Sequence, residues 1–242
     1  GSEMCIRDRP SVTRAFQTGD SQKLKRTVEA VLRITFLTAL PMGVGISVLA
    51  QPAARLIYGA RPGTVIVGRV LTILGAASVF AALCGPLNSI LQAMGHVELP
   101  VVLTLIGLFV KAVLDYTLAA VPRVNVLGGA VGTLVCYALA SVLACIAIRR
   151  IAGVKIDFFS TFKKPFLASV CCGVAALLTH KAWCAVLPES RFSALPAVFL
   201  GALIYVVFLL IARGICEEDI KALPNGEKIT KRLEKYLQKA GG

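Results

Sequence analysis

Lys111 and Asp115 stand four residues apart in a stretch, 99–118, that otherwise avoids charge. On a helix, residues at i and i+4 share a face and an ammonium there pairs with a carboxylate. In hydrocarbon a lone charge costs roughly 2.5–3.5 kcal/mol on insertion scales, and ionisable residues there face a bundle interior or a water-filled path. Thr104, Gly107, Lys111 and Asp115 are spaced i, i+3, i+7 and i+11, so they form one stripe. Two readings stay open: the couple lines a hydrated passage, or it is a structural ion pair.

Other polar residues interrupt apolar runs. Cys84, Asn88 and Gln92 fall at i, i+4 and i+8 beside Pro86. They either line a wet cavity or serve as interhelical hydrogen bonds, typically worth ~0.6–2 kcal/mol each. Thr133 follows Gly129 by one turn, in a run joined to the Lys111 run only by "VPRVN". So short a link makes the two runs antiparallel neighbours, and Thr133 is expected to approach Asp115. Arg33 lies just inside another apolar run, where a long stem lets the charge snorkel to the interface. His180 and Lys181 sit about two-thirds across a later run and are read as snorkelling outward.

No constellation here suits catalysis or a metal. Of the eight cysteines, Cys84, Cys136, Cys145, Cys171, Cys172 and Cys184 lie in apolar runs, with no CxxC pair and no histidine at ligand spacing. Small thiols suit close helix packing in lipid. The expectation is no catalytic residue, no metal, no cofactor and no enzyme activity; no acidic cluster or long loop supports a membrane glycosyltransferase or ligase.

The elements that carry these residues are membrane-spanning helices. Charged residues make up 16% of the chain and the mean hydropathy is +0.78, against about 25% charged in soluble domains. Apolar runs of the length that crosses a bilayer cover 32–50, 70–93, 100–120, 126–148, 166–187 and 194–212, which makes six spans. The fold class is therefore all-α, a polytopic transmembrane helix bundle. Pro41, Gly43 and Gly45 interrupt the first span, either as a kink lining a cavity or as a packing kink. The stretch 51–58 reads as a short interfacial helix, and "GGAVGT" in the fourth span allows close backbone approach.

The net charge of +13 is not a nucleic-acid footprint, because its placement is topological. Basic residues crowd into the first 26 positions, the 149–164 connection and the tail after Arg213, while the opposite connections hold Arg55, Arg61, Arg123 and Arg191. By the positive-inside rule both ends are cytoplasmic. Residues 1–9 read as a non-native scar or tag, 10–31 as a cytoplasmic amphipathic lead-in helix starting near Asp20 and Ser21, and 32–148 as four packed spans. A cytoplasmic loop over 149–165, two further spans over 166–213 and a basic amphipathic tail over 214–242 complete the chain. The loop and tail are expected to meet anionic membrane lipids, although a solvated stabilising tail fits equally.

The ordered strings "PSVTRAFQTGDSQKLKRTVEAVLRITFLTALPMGVGISVLAQPAARLIYG", "NSILQAMGHVELP", "VKAVLDYTLAAVPRVNVLGGAVGT" and "EEDIKALPNGEKI" resemble the stage V sporulation protein B and polysaccharide-biosynthesis family of the MOP flippase superfamily. MurJ-type flippases and MATE exporters belong to the same superfamily. The resemblance implies a partial second lobe of a two-lobed transporter in the bacterial cytoplasmic membrane, lacking its N-terminal lobe. It implies a lipid-linked, pyrophosphate-bearing sugar as substrate, flipped by alternating access. The implied cavity residues are Lys111, Asp115, Asn88, Gln92, Thr133 and Arg33, with Lys111 the foremost cation for the pyrophosphate. In some MurJ-type relatives the matching spans bind sodium through Asn, Asp and Thr oxygens. Asp115 and Thr133 look similar here, but Lys111 stands where an amide would be. The alternatives are a MATE-type exporter of organic cations, which Lys111 disfavours, and a non-transporting scaffold for envelope synthesis.

Overall fold

A computed structural model describes Thr13 and residues 21–59, 61, 63–121, 125–153, 158–186 and 203. Among the described residues the regular structure is all helical. The helices are α1 (Ser21–Val48), α2 (Ala50–Tyr58), α3 (Thr64–Ala93), α4 (Glu98–Ala119), α5 (Asn125–Ala152) and α6 (Phe158–Val186). Four of them, over Leu24–Val48, Thr64–Ala93, Glu98–Ala119 and Val126–Ala152, are long and apolar enough to cross a membrane. They match the first four expected spans. The sixth span and the tail lie outside the described residues, as does Asp20.

Two connections have clear local causes. Gly95 follows α3 with φ 87°, its amide donates to the Gln92 carbonyl, and the His96 amide donates to Leu91. This paired pattern is a Schellman ending, and the left-handed backbone it needs is why glycine occupies position 95. Pro100 then sits in the first turn of α4, where a missing amide hydrogen leaves no helical bond unmade. At the other end, Gly59 closes α2 with φ 70° and the Thr64 hydroxyl donates to its carbonyl at 2.9 Å.

The helices pack in the order α4, α5, α3, α1, α6, with α2 laid against the start of α3. Although α3 and α4 are consecutive, they touch little, because α5 intervenes. One extended apolar cluster joins Leu24, Val28, Leu32 and Phe36 of α1 to Leu87, Ile90 and Leu91 of α3 and to Ala144 and Ile148 of α5. It occupies the end of the bundle where α1 begins and α3 and α5 finish. Between helices in lipid such clusters hold by close packing rather than by escape from water.

Toward the opposite end the contacts are made by small residues. A Cβ at Gly43 would collide with Val79 and approach the Gly75 carbonyl at 2.8 Å; one at Gly75 would meet the Ser47 amide at 2.7 Å. The Ser47 hydroxyl donates across this crossing to the Thr72 carbonyl at 2.9 Å. Helix α1 runs through Pro41 without ending, and within the Pro41–Gly45 stretch Gly43 is the glycine that packs on α3. On the far side of α1, Gly173 of α6 accepts Val44 and Val48 in the space a Cβ would fill.

The cytoplasmic loop expected over 149–165 is shorter than that. Helix α5 extends through Arg149 and Arg150 to Ala152, ends at Gly153 with φ 62°, and α6 begins at Phe158 and continues past Pro165. Good helix formers and the absence of a breaker before Gly153 carry the helix past the apolar run.

Candidate functional site

The stripe on α4 faces α5. Gly107 lies against the Cys136 carbonyl, which a Cβ there would approach at 3.0 Å, and Lys111 and Asp115 lie against Gly132. Low sequence numbers on α4 meet high numbers on α5, which is the antiparallel pairing that the short connection demands. A charged pair at this seam needs a surface without bulk, and Gly132 supplies it: a Cβ there would collide with Asp115 Oδ1.

Lys111 Nζ donates to Asp115 Oδ2 at 2.6 Å. A contact this short between full charges is a strong, charge-assisted hydrogen bond. The two carboxylate oxygens have different surroundings. Oδ2 takes the ammonium, while Oδ1 is buried against α5 with no hydrogen-bond partner. The side chains retain 29% and 36% of their exposure, so the pair lies at an open edge of the seam and is not sealed inside it. Lys111 is two to three residues from the midpoint of α4 and Asp115 one turn beyond, which puts them about 4 and 10 Å from the helix centre.

Thr133 does not meet Asp115 through its hydroxyl. That group donates to the Gly129 carbonyl of its own helix at 2.8 Å, and the residue against the carboxylate is its neighbour Gly132. A one-residue step on a helix turns the side chain by about 100°, which is why the approach falls on Gly132 and leaves Thr133 beside it. The lysine ammonium holds the position facing Asp115 Oδ2, and the Thr133 hydroxyl donates along its own helix.

The remaining candidates lie elsewhere. Cys84 Sγ is 3.3 Å from Ser141 Oγ, and the Ser141 hydroxyl donates to the Phe80 carbonyl at 3.1 Å, tying α3 to α5. Ser141 is nine residues along α5 from Gly132, about 13 Å. Asn88 and Gln92 are half-buried and follow Cys84 toward the far end of α3; Gln92 has an interaction partner. Arg33 is half-buried, engaged by a neighbour, and sits on α1, which α3 and α5 separate from α4. The structure therefore pairs Lys111 with Asp115 against Gly132, next in sequence to Thr133, and leaves Asn88, Gln92 and Arg33 apart from them. His180 and Lys181 fall within α6, with side chains outside the described residues. Gly132 is the site residue that side-chain chemistry alone did not single out; its signal was the Gly128, Gly132 pair one turn apart on α5.

Long apolar helices, small-residue crossings and a partly open charged seam define a multi-pass α-helical membrane protein. Comparison with known proteins makes the class specific. The family model described as lipid II flippase MurJ matches residues 10–206, and the chain belongs to that family. It is similar to stage V sporulation protein B of Bacillus subtilis (strain 168), 23% identical over 221 residues, which is 89% of this chain and 40% of that protein. It is similar also to the uncharacterized membrane protein YabM of the same organism, 21% identical over 244 residues, 96% of this chain and 43% of that protein. The chain thus spans about two fifths of the length of these curated relatives.

Proposed function

We propose that this chain is the C-terminal part of a flippase that moves a lipid-linked, pyrophosphate-bearing sugar across the bacterial cytoplasmic membrane by alternating access, acting as a transporter and not as an enzyme. Membership of the lipid II flippase family supports the substrate class. The observation that carries the reading is the Lys111–Asp115 couple, held in the α4–α5 seam at membrane depth and still partly open. Ionisable residues within membrane spans almost always face a bundle interior or a water-filled path, which supports a hydrated passage beside the pair. Lys111 supplies a cation for the pyrophosphate, and Asp115 holds that ammonium in place between transport events.

The same pair sets the coupling. An ammonium 2.6 Å from Asp115 Oδ2 is a tethered cation that competes with sodium for the carboxylate, so coupling to sodium is lost or replaced by proton coupling. In the proposed arrangement both ends of the chain are cytoplasmic, the rest of the longer protein supplies the other lobe, and the basic connection and tail meet anionic lipids of the inner leaflet.

The test is flipping of a fluorescent lipid-linked oligosaccharide by the full-length parent in proteoliposomes. Lys111→Met is expected to abolish flipping and Lys111→Arg to retain part of it. Full activity of Lys111→Met would remove the role given to the ammonium.

A further inference from the structure

The end of the bundle where α1 finishes carries a second basic feature, distinct from the charged seam. Helix α2 lies along the first turns of α3: Gln51 Nε2 donates to the Val65 carbonyl at 3.0 Å, its amide fills the hollow over Gly68, and Thr64 closes on Gly59. Ala50 and Ala54 form the buried side of α2. Arg55 is exposed on the side turned away from them, while Ile57 and Tyr58, one turn on from Ala54 along the same face, are 73% and 52% exposed at the end of α2. Arg61 in the connection and Arg69 on α3 are exposed as well.

Three observations make this corner more than a loop with charges. First, no acidic residue occurs from Ala30 to Val97, and none of the three arginines makes an ion pair among the described residues. Second, the depths are staggered. The 30 residues of α3 rise about 45 Å, longer than a hydrocarbon core of about 30 Å and comparable to the bilayer with its headgroups. Arg69, five residues after Thr64, is about 8 Å down the axis and reaches the boundary between headgroups and acyl chains on a centred helix. Arg55 and Arg61 stand above it. Third, the exposed apolar partners, Ile57 and Tyr58 with Val65 and Ile66, are what a short interfacial helix sinks into a bilayer, and tyrosine favours that depth.

We propose that Arg55, Arg61 and Arg69 form a binding surface for the phosphate headgroups of anionic membrane lipids, with Ile57 and Tyr58 inserted between the acyl chains to seat α2 on the bilayer. Guanidinium groups match phosphate oxygens in pairs. A staircase of three through the headgroup layer lets one or two lipids be held at both phosphate and glycerol depth. The partner is the lipid itself, bound at the end of the bundle opposite the large apolar cluster, so it does not overlap the basic connection after α5.

The experiment uses the chain reconstituted in bilayers of phosphatidylcholine with a minority of phosphatidylglycerol. A tryptophan reporter comes from Tyr58→Trp in a Trp183→Phe background, and bromine is placed on the acyl chains of one lipid or the other. Brominated phosphatidylglycerol is expected to quench the reporter several-fold more than its share of the bilayer predicts. Arg55→Gln, Arg61→Gln and Arg69→Gln together are expected to bring quenching down to the bulk share, each arginine contributing up to about fivefold. The matching triple lysine replacement is expected to keep most of the preference, which separates charge from loss of structure. Absence of the preference in the parent, its survival in the glutamine variant, or its loss in the lysine variant with helicity unchanged would overturn the proposal. Displacement by inorganic phosphate alone would assign the surface to free phosphate and overturn the lipid assignment.

Discussion

Gly132 of α5 is the hollow in which Asp115 of α4 rests. A β-carbon at 132 would collide with Asp115 Oδ1, and that oxygen is buried there without a hydrogen-bond partner. The position of the carboxylate, and through it of Lys111, therefore depends on a missing side chain one helix away. Gly132→Ala is expected to force α4 and α5 apart or turn Asp115 outward, at about 1–3 kcal/mol of overpacking. Gly129→Ala is the control, since a Cβ at 129 meets nothing within 4 Å. Thermal unfolding of the purified chain should show a lowered midpoint for the first and little change for the second.

Removing one member of the Lys111–Asp115 couple should do more harm than removing both. The pair is partly exposed, so its strength lies between the roughly 0–1 kcal/mol of surface pairs and the roughly 3–5 kcal/mol lost when a fully buried pair is broken. In a double-mutant cycle, Lys111→Met and Asp115→Asn are each expected to destabilise, and the double variant to recover part of the loss. Additive losses would mean the two charges are not coupled.

The spans were legible because hydropathy and run length alone decide them, and α1, α3, α4 and α5 fall where the apolar runs do. The stripe through Gly107, Lys111 and Asp115 was legible because helical periodicity places it on one face and the five-residue link forces the next helix against it. What periodicity could not supply was the facing register. Thr133 and Gly132 differ by one residue in sequence but by about 100° around the helix, and only the packed pair decides which of them meets the carboxylate. The polar stripe on α3 posed a similar ambiguity: Cys84 bonds toward Ser141, a residue whose relation to it is set by α5 packing beside α3 and by nothing local. Arg69 immediately precedes the apolar run 70–93, and the basic corner it shares with α2 is set by α2 folding back onto α3.

The α1–α3 crossing is expected to be the least tolerant of bulk. Gly43→Ala would press on Val79 and on the Gly75 backbone, which cannot rotate away, and should lower the unfolding midpoint by an amount matching about 1–3 kcal/mol. Gly45→Ala, two residues on, has nothing within 4 Å of its new carbon and should leave the midpoint unchanged. Equal effects from the two would contradict the glycine crossing.

Sodium should be dispensable. Because Lys111 Nζ occupies the place facing Asp115 Oδ2, flipping by the full-length parent is expected to proceed at the same rate when potassium or choline replaces sodium. Lys111→Asn removes the tethered ammonium and offers an amide oxygen, and transport by that variant is expected to acquire a dependence on sodium. Strict sodium dependence of the parent would refute the tethered-cation assignment.

The most direct measurement is the water access of position 111 in the full-length parent. With native cysteines removed and Lys111→Cys introduced, a membrane-impermeant charged thiol reagent added to intact cells or oriented vesicles should label the position, and a lipid-linked oligosaccharide should slow that labelling. A position that stays unreactive from both faces, in the presence and absence of substrate, would place the couple in a dry seam and contradict the transport role given to it.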